Sequence, residues 1–339
     1  MRKKHFLFAS VLALLCGSST LHAQDFKLTS SGYFKNQGVD VMAFDDIYPE
    51  GHQGGVCIIM NGHRVATNGD IRLEATPGQW QPVPKQLDRK LGDNSITATL
   101  CYPDSSRHLT GFNPMIYPDL HLIYTVNVES KGKNIEVTVD LDRPIPQEFI
   151  GKVGFNLEFF PGSLFGKPWI MDGQSGIFPQ QPNSPLMTTQ PNYLHTGNYH
   201  DGKKSLADMN KLIGKGYSPI VADDIISEPY AKGTKFTSRP DDPYNKVTIE
   251  SLSGDLQLFD GRMNHNNGWF VLRSNIKPGV TKGAVKWIIT PNVVADWMYQ
   301  PVIQTSQIGY HPTQDKEAVI EMDIRCLLYT SDAADERSS

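Results

Sequence analysis

Apolar and polar residues alternate with a period of two along most of this 339-residue chain, the spacing of strands that bury one face and wet the other. Leu122, Tyr124, Val126 and Val128 are separated by Ile123, Thr125 and Asn127; after the turn-forming run 131–134 (KGKN), Ile135, Val137, Val139 and Leu141 alternate with Glu136, Thr138 and Asp140. The pair predicts an antiparallel hairpin with one solvent-facing side. Asn61-Gly62, between 56–60 and 63–65, and Gly92-Asp93-Asn94, ahead of Ile96, Ala98 and Leu100, are further hairpin signals, because Asn and Gly accept the positive φ of tight turns. The alternation returns in Val153, Phe155, Leu157 and Phe159, in Val247 and Ile249, in Leu256 and Leu258 across a Ser253-Gly254-Asp255 turn, and in the runs 269–273 and 284–290. Helical spacing is confined to Leu206, Met209, Leu212 and Ile213, inside a stretch (179–243) rich in Pro, Gly, Asn and Asp that reads as a long excursion from the strands. The expected fold is all-β, a large antiparallel β-sandwich over residues 24–300.

The two ends read differently. Arg2, Lys3 and Lys4 precede an apolar run at 6–15, and Ala23 closes a small-residue cleavage site, so residues 1–23 are expected to be a signal peptide and the protein to be exported to the periplasm, the cell surface or the medium. The run is well short of the roughly 20 residues a membrane span requires. A lipoprotein signal at Cys16 would place a small residue where Leu15 stands. Toward the other end, Ala318, Val319, Ile320 and Met322 predict a half-buried strand after a turn at 304–312. Residues 326–339 stand apart from the fold, because 326–336 back-translate onto a transposon adaptor used in preparing sequencing libraries.

Composition narrows the class. Hydrophobic residues make up 39% of the chain, enough for a sizeable core. A formal net charge of −4 gives no general attraction to nucleic acid or to anionic membranes. Of four cysteines, Cys16 falls in the leader and Cys326 in the adaptor-like tail; Cys57 and Cys101 remain, free to pair in an oxidising compartment or to stay as buried thiols.

Residues 304–312 (QTSQIGYHP) with 316–323 (KEAVIEMD), and the segments 61–64 (NGHR), 66–70 (ATNGD), 154–161 (GFNLEFFP), 171–179 (MDGQSGIFP), 258–262 (LFDGR) and 287–292 (WIITPN), together resemble multi-domain proteins of glycoside hydrolase family 9, the cellulase-type endoglucanases. The resemblance implies a sandwich, of the supersandwich type found in galactose mutarotases and polysaccharide lyases, followed over 301–325 by the first strand of an immunoglobulin-like domain. For the whole protein it implies inverting hydrolysis of β-1,4-glucans or related plant polysaccharides by a helical catalytic domain, which would be the partner of this portion. The run Asp332 to Asp335 (DAAD) imitates the paired aspartates of that domain but lies in the adaptor-like tail.

Within the chain itself, catalytic chemistry is thin. Asp223 and Asp224 with Glu228 read as a solvated cluster, His195 and His200 lack a third ligand, and there is no HExxH, phosphate loop or nucleophile elbow. No catalytic residue, metal ligand or cofactor is expected. Sugars stack on aromatic rings and take hydrogen bonds from Asp, Asn and Arg, which makes Tyr193, Tyr199, Trp169, Trp269, Asp260 and Arg262 the carbohydrate-binding candidates. Tyr193 and Tyr199 lie in a polar loop, whereas Trp169 and Trp269 adjoin apolar runs that place them in the core. Trp297 and Tyr299, ahead of Pro301, are expected at the junction to the next domain. The chain therefore reads as a non-catalytic scaffold or carbohydrate-contacting portion whose ligand is a polysaccharide or oligosaccharide. A stand-alone cell-surface glycan-binding protein is the alternative. A mutarotase- or lyase-like enzyme would need a His and carboxylate pair on one concave sheet, which His63, His108 and His121 do not supply.

Overall fold

The computed structural model describes residues 25–45, 54–74, 76–77, 84–102, 120–182, 186–189, 225–263 and 268–323. Two nine-stranded sheets carry the fold. The first runs, in spatial order, β1 (Lys27–Leu28), β2 (Phe34–Asn36), β3 (Val39–Ala43), β4 (Val56–Met60), β5 (His63–Leu73), β10 (Val153–Phe159), β19 (Phe270–Asn275), β18 (Leu256–Asp260) and β15 (Ala231–Gly233). The second runs β12 (Gln174–Ile177), β11 (Pro168–Met171), β16 (Lys235–Ser238), β17 (Val247–Ser251), β20 (Val285–Pro291), β9 (Asn134–Leu141), β8 (Ile123–Lys131), β7 (Ser95–Cys101) and β6 (Lys85–Leu91). Two short pairs stand outside them, β13 (Leu186–Thr189) with β14 (Ile225–Ser227) and β21 (Val302–Gln304) with β22 (Val319–Glu321).

Alternation explains the second sheet directly. Along β9 buried residues occupy every second position, and its β8 partner does the same, with Lys131 opposite Asn134 across the turn. The inner faces meet through aromatic rings. Phe155 of β10 packs edge-on against Trp287 of β20 at 5.0 Å, and Phe159 against Phe236 of β16 at 5.8 Å. The Trp287 indole N–H donates to Ser274 Oγ at 3.0 Å, so the largest fully buried side chain leaves no orphan donor. Asn61 and Gly62, at φ 52° and 82°, close the β4–β5 hairpin as their identities require.

The Ser253-Gly254-Asp255 turn leads from β17 of the second sheet to β18 of the first, so the chain crosses the core there. Two sequence expectations change. The excursion at 179–243 is shorter than composition indicates, because Ala231–Gly233 and Lys235–Ser238 are strands of the two sheets; its helically spaced residues lie outside the described ones. The strand expected to be half-buried near residue 320 forms as β22, but Val319, Ile320 and Glu321 are all exposed. Cys57 on β4 is a buried thiol and Cys101 on β7 a partly exposed one, and they are not bonded to each other.

Candidate functional site

Three neighbouring strands of the first sheet carry polar side chains at alternate positions. These are Asp70 and Arg72 on β5 with Glu74 just beyond it, Asn156 and Glu158 on β10, and Arg273 and Asn275 on β19. The register sets Asp70 opposite Asn156 and Asn156 opposite Arg273. The pleat therefore groups them on the face turned away from Phe155, Leu157 and Leu272. Such a face is ordinarily wet, yet Asp70 is 0%, Glu74 1% and Arg273 1% exposed.

Local irregularity in β5 makes the arrangement possible. The β5–β10 register shifts between Asn156 and Glu158, and Asn68 sits there in the left-handed region at φ 56°. Gly69 lets β4 approach, since a Cβ at this position would fall 2.6 Å from Val56 Cβ. Beyond Gly69 β4 has ended, and side chains take over the ladder bonds of Ile71: its N–H donates to Asp70 Oδ1 at 2.7 Å and its carbonyl accepts Tyr102 OH at 3.0 Å. Tyr124 OH, from β8, donates to the same Asp70 oxygen at 3.0 Å.

The remaining bonds close the group on itself. Arg273 donates through Nη1 to Glu74 Oε1 (3.3 Å) and Asn156 Oδ1 (3.2 Å), and through Nη2 to the Glu74 carbonyl (3.0 Å). Asn156 Nδ2 also donates to Glu74 Oε1 at 2.6 Å, and Asn68 Nδ2 to Glu158 Oε2 at 2.6 Å. Asp70 Oδ2, Glu74 Oε2 and Arg72 Nε are buried without a hydrogen-bond partner.

Three carboxyls face two guanidiniums, so full ionisation would bury an excess negative charge. Burial pushes the Glu74 carboxyl up to about 7; Arg273 opposes the rise and the Glu158 charge adds to it. Burial likewise raises Asp70 to about 6, against the pull of Arg72 and the bonds from Ile71 and Tyr124. Arg72 moves upward although burial works against its charge, because Glu158 and Asp70 hold it ionised. The cluster can hold one shared proton near neutrality, which balances its charge. Acid–base chemistry on a substrate further requires contact with that substrate, and these groups are sealed.

The residues singled out from sequence are dispersed. Asp260 and Arg262 do meet, in an ion pair at 2.8 Å. Arg262 also donates to the carbonyls of Pro179 and Gln180, both at 2.8 Å, while Asp260 accepts Tyr230 OH at 3.0 Å. With the guanidinium 4.5 Å from the Phe270 ring centre, the pair is a bracket fastening 179–180 to β18, and its bonding capacity is engaged within the protein. Trp169 is buried against Gly176, where a Cβ would come within 2.4 Å of the indole, so its ring offers no stacking face. Trp269 is half-buried, edge-on to Phe160 at 4.4 Å. Tyr193 and Tyr199 lie outside the described residues. Among the described residues no group of three or more His, Cys, Asp or Glu is placed to hold a metal ion, and no helix is long and apolar enough to cross a membrane.

The charged cluster was not singled out from sequence, although a signal exists: β5 alternates Asp70, Arg72 and Glu74 with Ile71 and Leu73, and β10 and β19 answer with Asn156, Glu158 and Arg273. No family model and no curated protein matches the chain. Among solved structures it is similar to a galactose mutarotase-like protein from Lactobacillus casei (12% identity, covering 76% of this chain and 98% of that one, TM-score 0.35). A galactose mutarotase related enzyme from Lactobacillus acidophilus is another (9% identity, 76% and 96% covered, TM-score 0.33). A third is the heparan sulfate lyase HepC from Pedobacter heparinus (12% identity, 86% and 40% covered, TM-score 0.27). At these TM-scores the similarities carry no argument, and the function is read from the residues.

Proposed function

We propose that this chain is a non-catalytic, carbohydrate-contacting β-sandwich from an exported polysaccharide-degrading protein of the glycoside hydrolase family 9 type. The sealing of its acid–base groups carries the non-catalytic reading. Asp70 and Glu74, the two carboxyls that titrate near neutrality, are 0% and 1% exposed and bonded into the sheet, whereas a hydrolase must bring both a carboxylic acid and a carboxylate to the glycosidic oxygen and its water. The family assignment rests on the resemblance at 304–312 and 316–323. It gains support from β21 and β22, which present Ile303 and Ile320 at 69% and 61% exposure, apolar surface of the kind that further strands of a sandwich cover. Incubation of the chain with insoluble cellulose, xylan and mannan tests the reading: retention on at least one, with no release of reducing sugar, is expected.

A second reading, a sugar-converting acid–base enzyme at the cluster, is favoured by one observation, the Glu74 carboxyl poised at about 7 beside Glu158 and two guanidiniums. Sugar conversion or reducing-sugar release that disappears in Glu74→Gln would establish this reading in place of the first.

A further inference from the structure

A cleft of about 590 Å³ lies at the end of the sandwich where 296–302 leave it, lined by Asn61, His63, Tyr244, Asp296, Trp297 and Tyr299 among others. Its aromatic rings are fixed by the sandwich. The Trp297 indole rests on Gly38 of the β2–β3 turn, where a Cβ would come within 2.7 Å of the ring, and Tyr299 rests on Gly62 of the β4–β5 turn, where a Cβ would come within 3.1 Å. The two rings stand 6.2 Å apart at 72° to each other. Backbone bonds hold them in place: Gln37 Nε2 donates to the Trp297 carbonyl at 2.7 Å, and the Tyr299 N–H donates to Asp323 Oδ2 at 3.0 Å. Across the cleft the Tyr244 carbonyl accepts Asn61 Nδ2, the Tyr244 N–H donates to Asp242 Oδ1 at 3.0 Å, and Tyr244 itself is 48% exposed. Trp297 and Tyr299 are half-buried and both line the cleft, and His63, Asp296 and Gln300 ring the opening as exposed polar groups.

Rigid aromatic rings flanked by amide, imidazole and carboxylate groups match a pyranose, whose CH face stacks while its hydroxyls both donate and accept. Charge narrows the class. The lining contains Asp296 and, among the described residues, neither Arg nor Lys, so a uronate or sulfated sugar would meet a carboxylate with no cation to pair with it. We propose that this cleft is a binding site for neutral glycans, with Tyr244, Trp297 and Tyr299 as the stacking platform and Asn61, His63 and Asp296 as hydroxyl partners. It rests on the reading of the chain as carbohydrate-contacting and names the surface that makes the contact. The junction role expected of Trp297 and Tyr299 and this role are compatible, since the same seating on Gly38 and Gly62 serves both.

Calorimetric titration of the full chain with cellohexaose, xylohexaose, mannohexaose and hexagalacturonate tests it, alongside Trp297→Ala and the exposed-site variant Tyr244→Ala, whose fold is checked by circular dichroism. Expected is binding of at least one neutral hexaose, weakened tenfold or more in both variants, with hexagalacturonate bound more weakly or not at all. Unchanged binding in a folded Tyr244→Ala and Trp297→Ala would overturn this site while leaving the carbohydrate-contacting reading standing. Preference for hexagalacturonate would overturn the neutral-ligand assignment. No binding of any hexaose to the unmodified chain would overturn the site, and absence of retention on the insoluble polysaccharides as well would remove the reading beneath it.

Discussion

Every residue of β5 from Val65 to Leu73 is buried, Asp70 and Arg72 included, while every residue of β21 and β22 is exposed, Val302, Ile303, Val319 and Ile320 included. The more polar strand is the drier one. Neighbours differ: β5 has β4 and β10 beside it, the second sheet behind Ile71 and Leu73, and Asp70 and Arg72 set among Tyr124, Glu158 and each other, whereas β21 pairs, among the described residues, only with β22. Burial in a sheet is set by flanking strands and by the layer behind, and hydrophobicity only makes that burial favourable. At the centre this forces charged groups to neutralise one another; at the margin it leaves apolar and aromatic groups open to solvent, where they can meet a ligand or a further domain.

The contrast is broken most directly at Arg273. Arg273→Ala strips Glu74 and Asn156 of their shared donor in a dry site and is expected to lower unfolding free energy by about 3–5 kcal/mol, measured by urea denaturation; a loss below about 1 kcal/mol would show that the cluster is not the closed network described. Nearly as large is the pH effect. Asp70 and Glu74 hold their protons more tightly folded than unfolded, so their contribution is fully present below about pH 4 and is lost as pH rises through 6 and 7. For Glu74, a rise from 4.5 to about 7 corresponds to on the order of 3 kcal/mol. Glu74→Gln removes that dependence, so the variant should gain on the unmodified protein between pH 4 and pH 8; parallel stability profiles for the two would contradict the titration. Asp172 works in the other direction. The Thr234 backbone N–H holds its carboxyl below the usual range, so its smaller contribution disappears on acidification.

Gly69→Ala sharpens the comparison at the backbone. Its Cβ would meet Val56 at 2.6 Å, and a loss of about 1–3 kcal/mol is expected as β4 and β5 are forced apart. The smallest effect belongs to the outlying pair: Ile303→Ser should change thermal stability by no more than about 0.5 kcal/mol, because the side chain is 69% exposed. A loss comparable to that of Gly69→Ala would mean that β21 is packed in solution.

The sandwich itself was legible in the chain, since period-two alternation marks β7, β8, β9 and β10, and the Asn61-Gly62 turn marks where β4 gives way to β5, of which only 63–65 was evident. What alternation cannot convey is which sheet a strand joins. The Ser253-Gly254-Asp255 turn is chemically a hairpin turn, yet β17 and β18 part there, β17 to pair with β16 and β20 in the second sheet and β18 with β15 and β19 in the first. The charged cluster was hidden for a related reason: Asp70, Arg72 and Glu74 look like the wet face of a strand, and only the register with Asn156 and Arg273 shows that their charges cancel within the protein. Trp169 and Trp269 resembled sugar platforms by residue type alone. The cleft at Trp297 escaped notice because its parts, residues 61–63, 244 and 296–300, are distant in sequence and meet only where two turns present glycine to two rings.

The central claim is that sugar meets the open aromatic margin and not the sealed charged centre. Titrating whichever neutral hexaose binds best into Tyr244→Ala and Glu74→Gln, side by side at pH 7, tests this most directly. The account predicts at least a tenfold loss of affinity in Tyr244→Ala and affinity within twofold of the unmodified chain in Glu74→Gln. The reverse pattern, with Tyr244→Ala binding normally and Glu74→Gln failing to bind while folded, would place the ligand at the centre and contradict it.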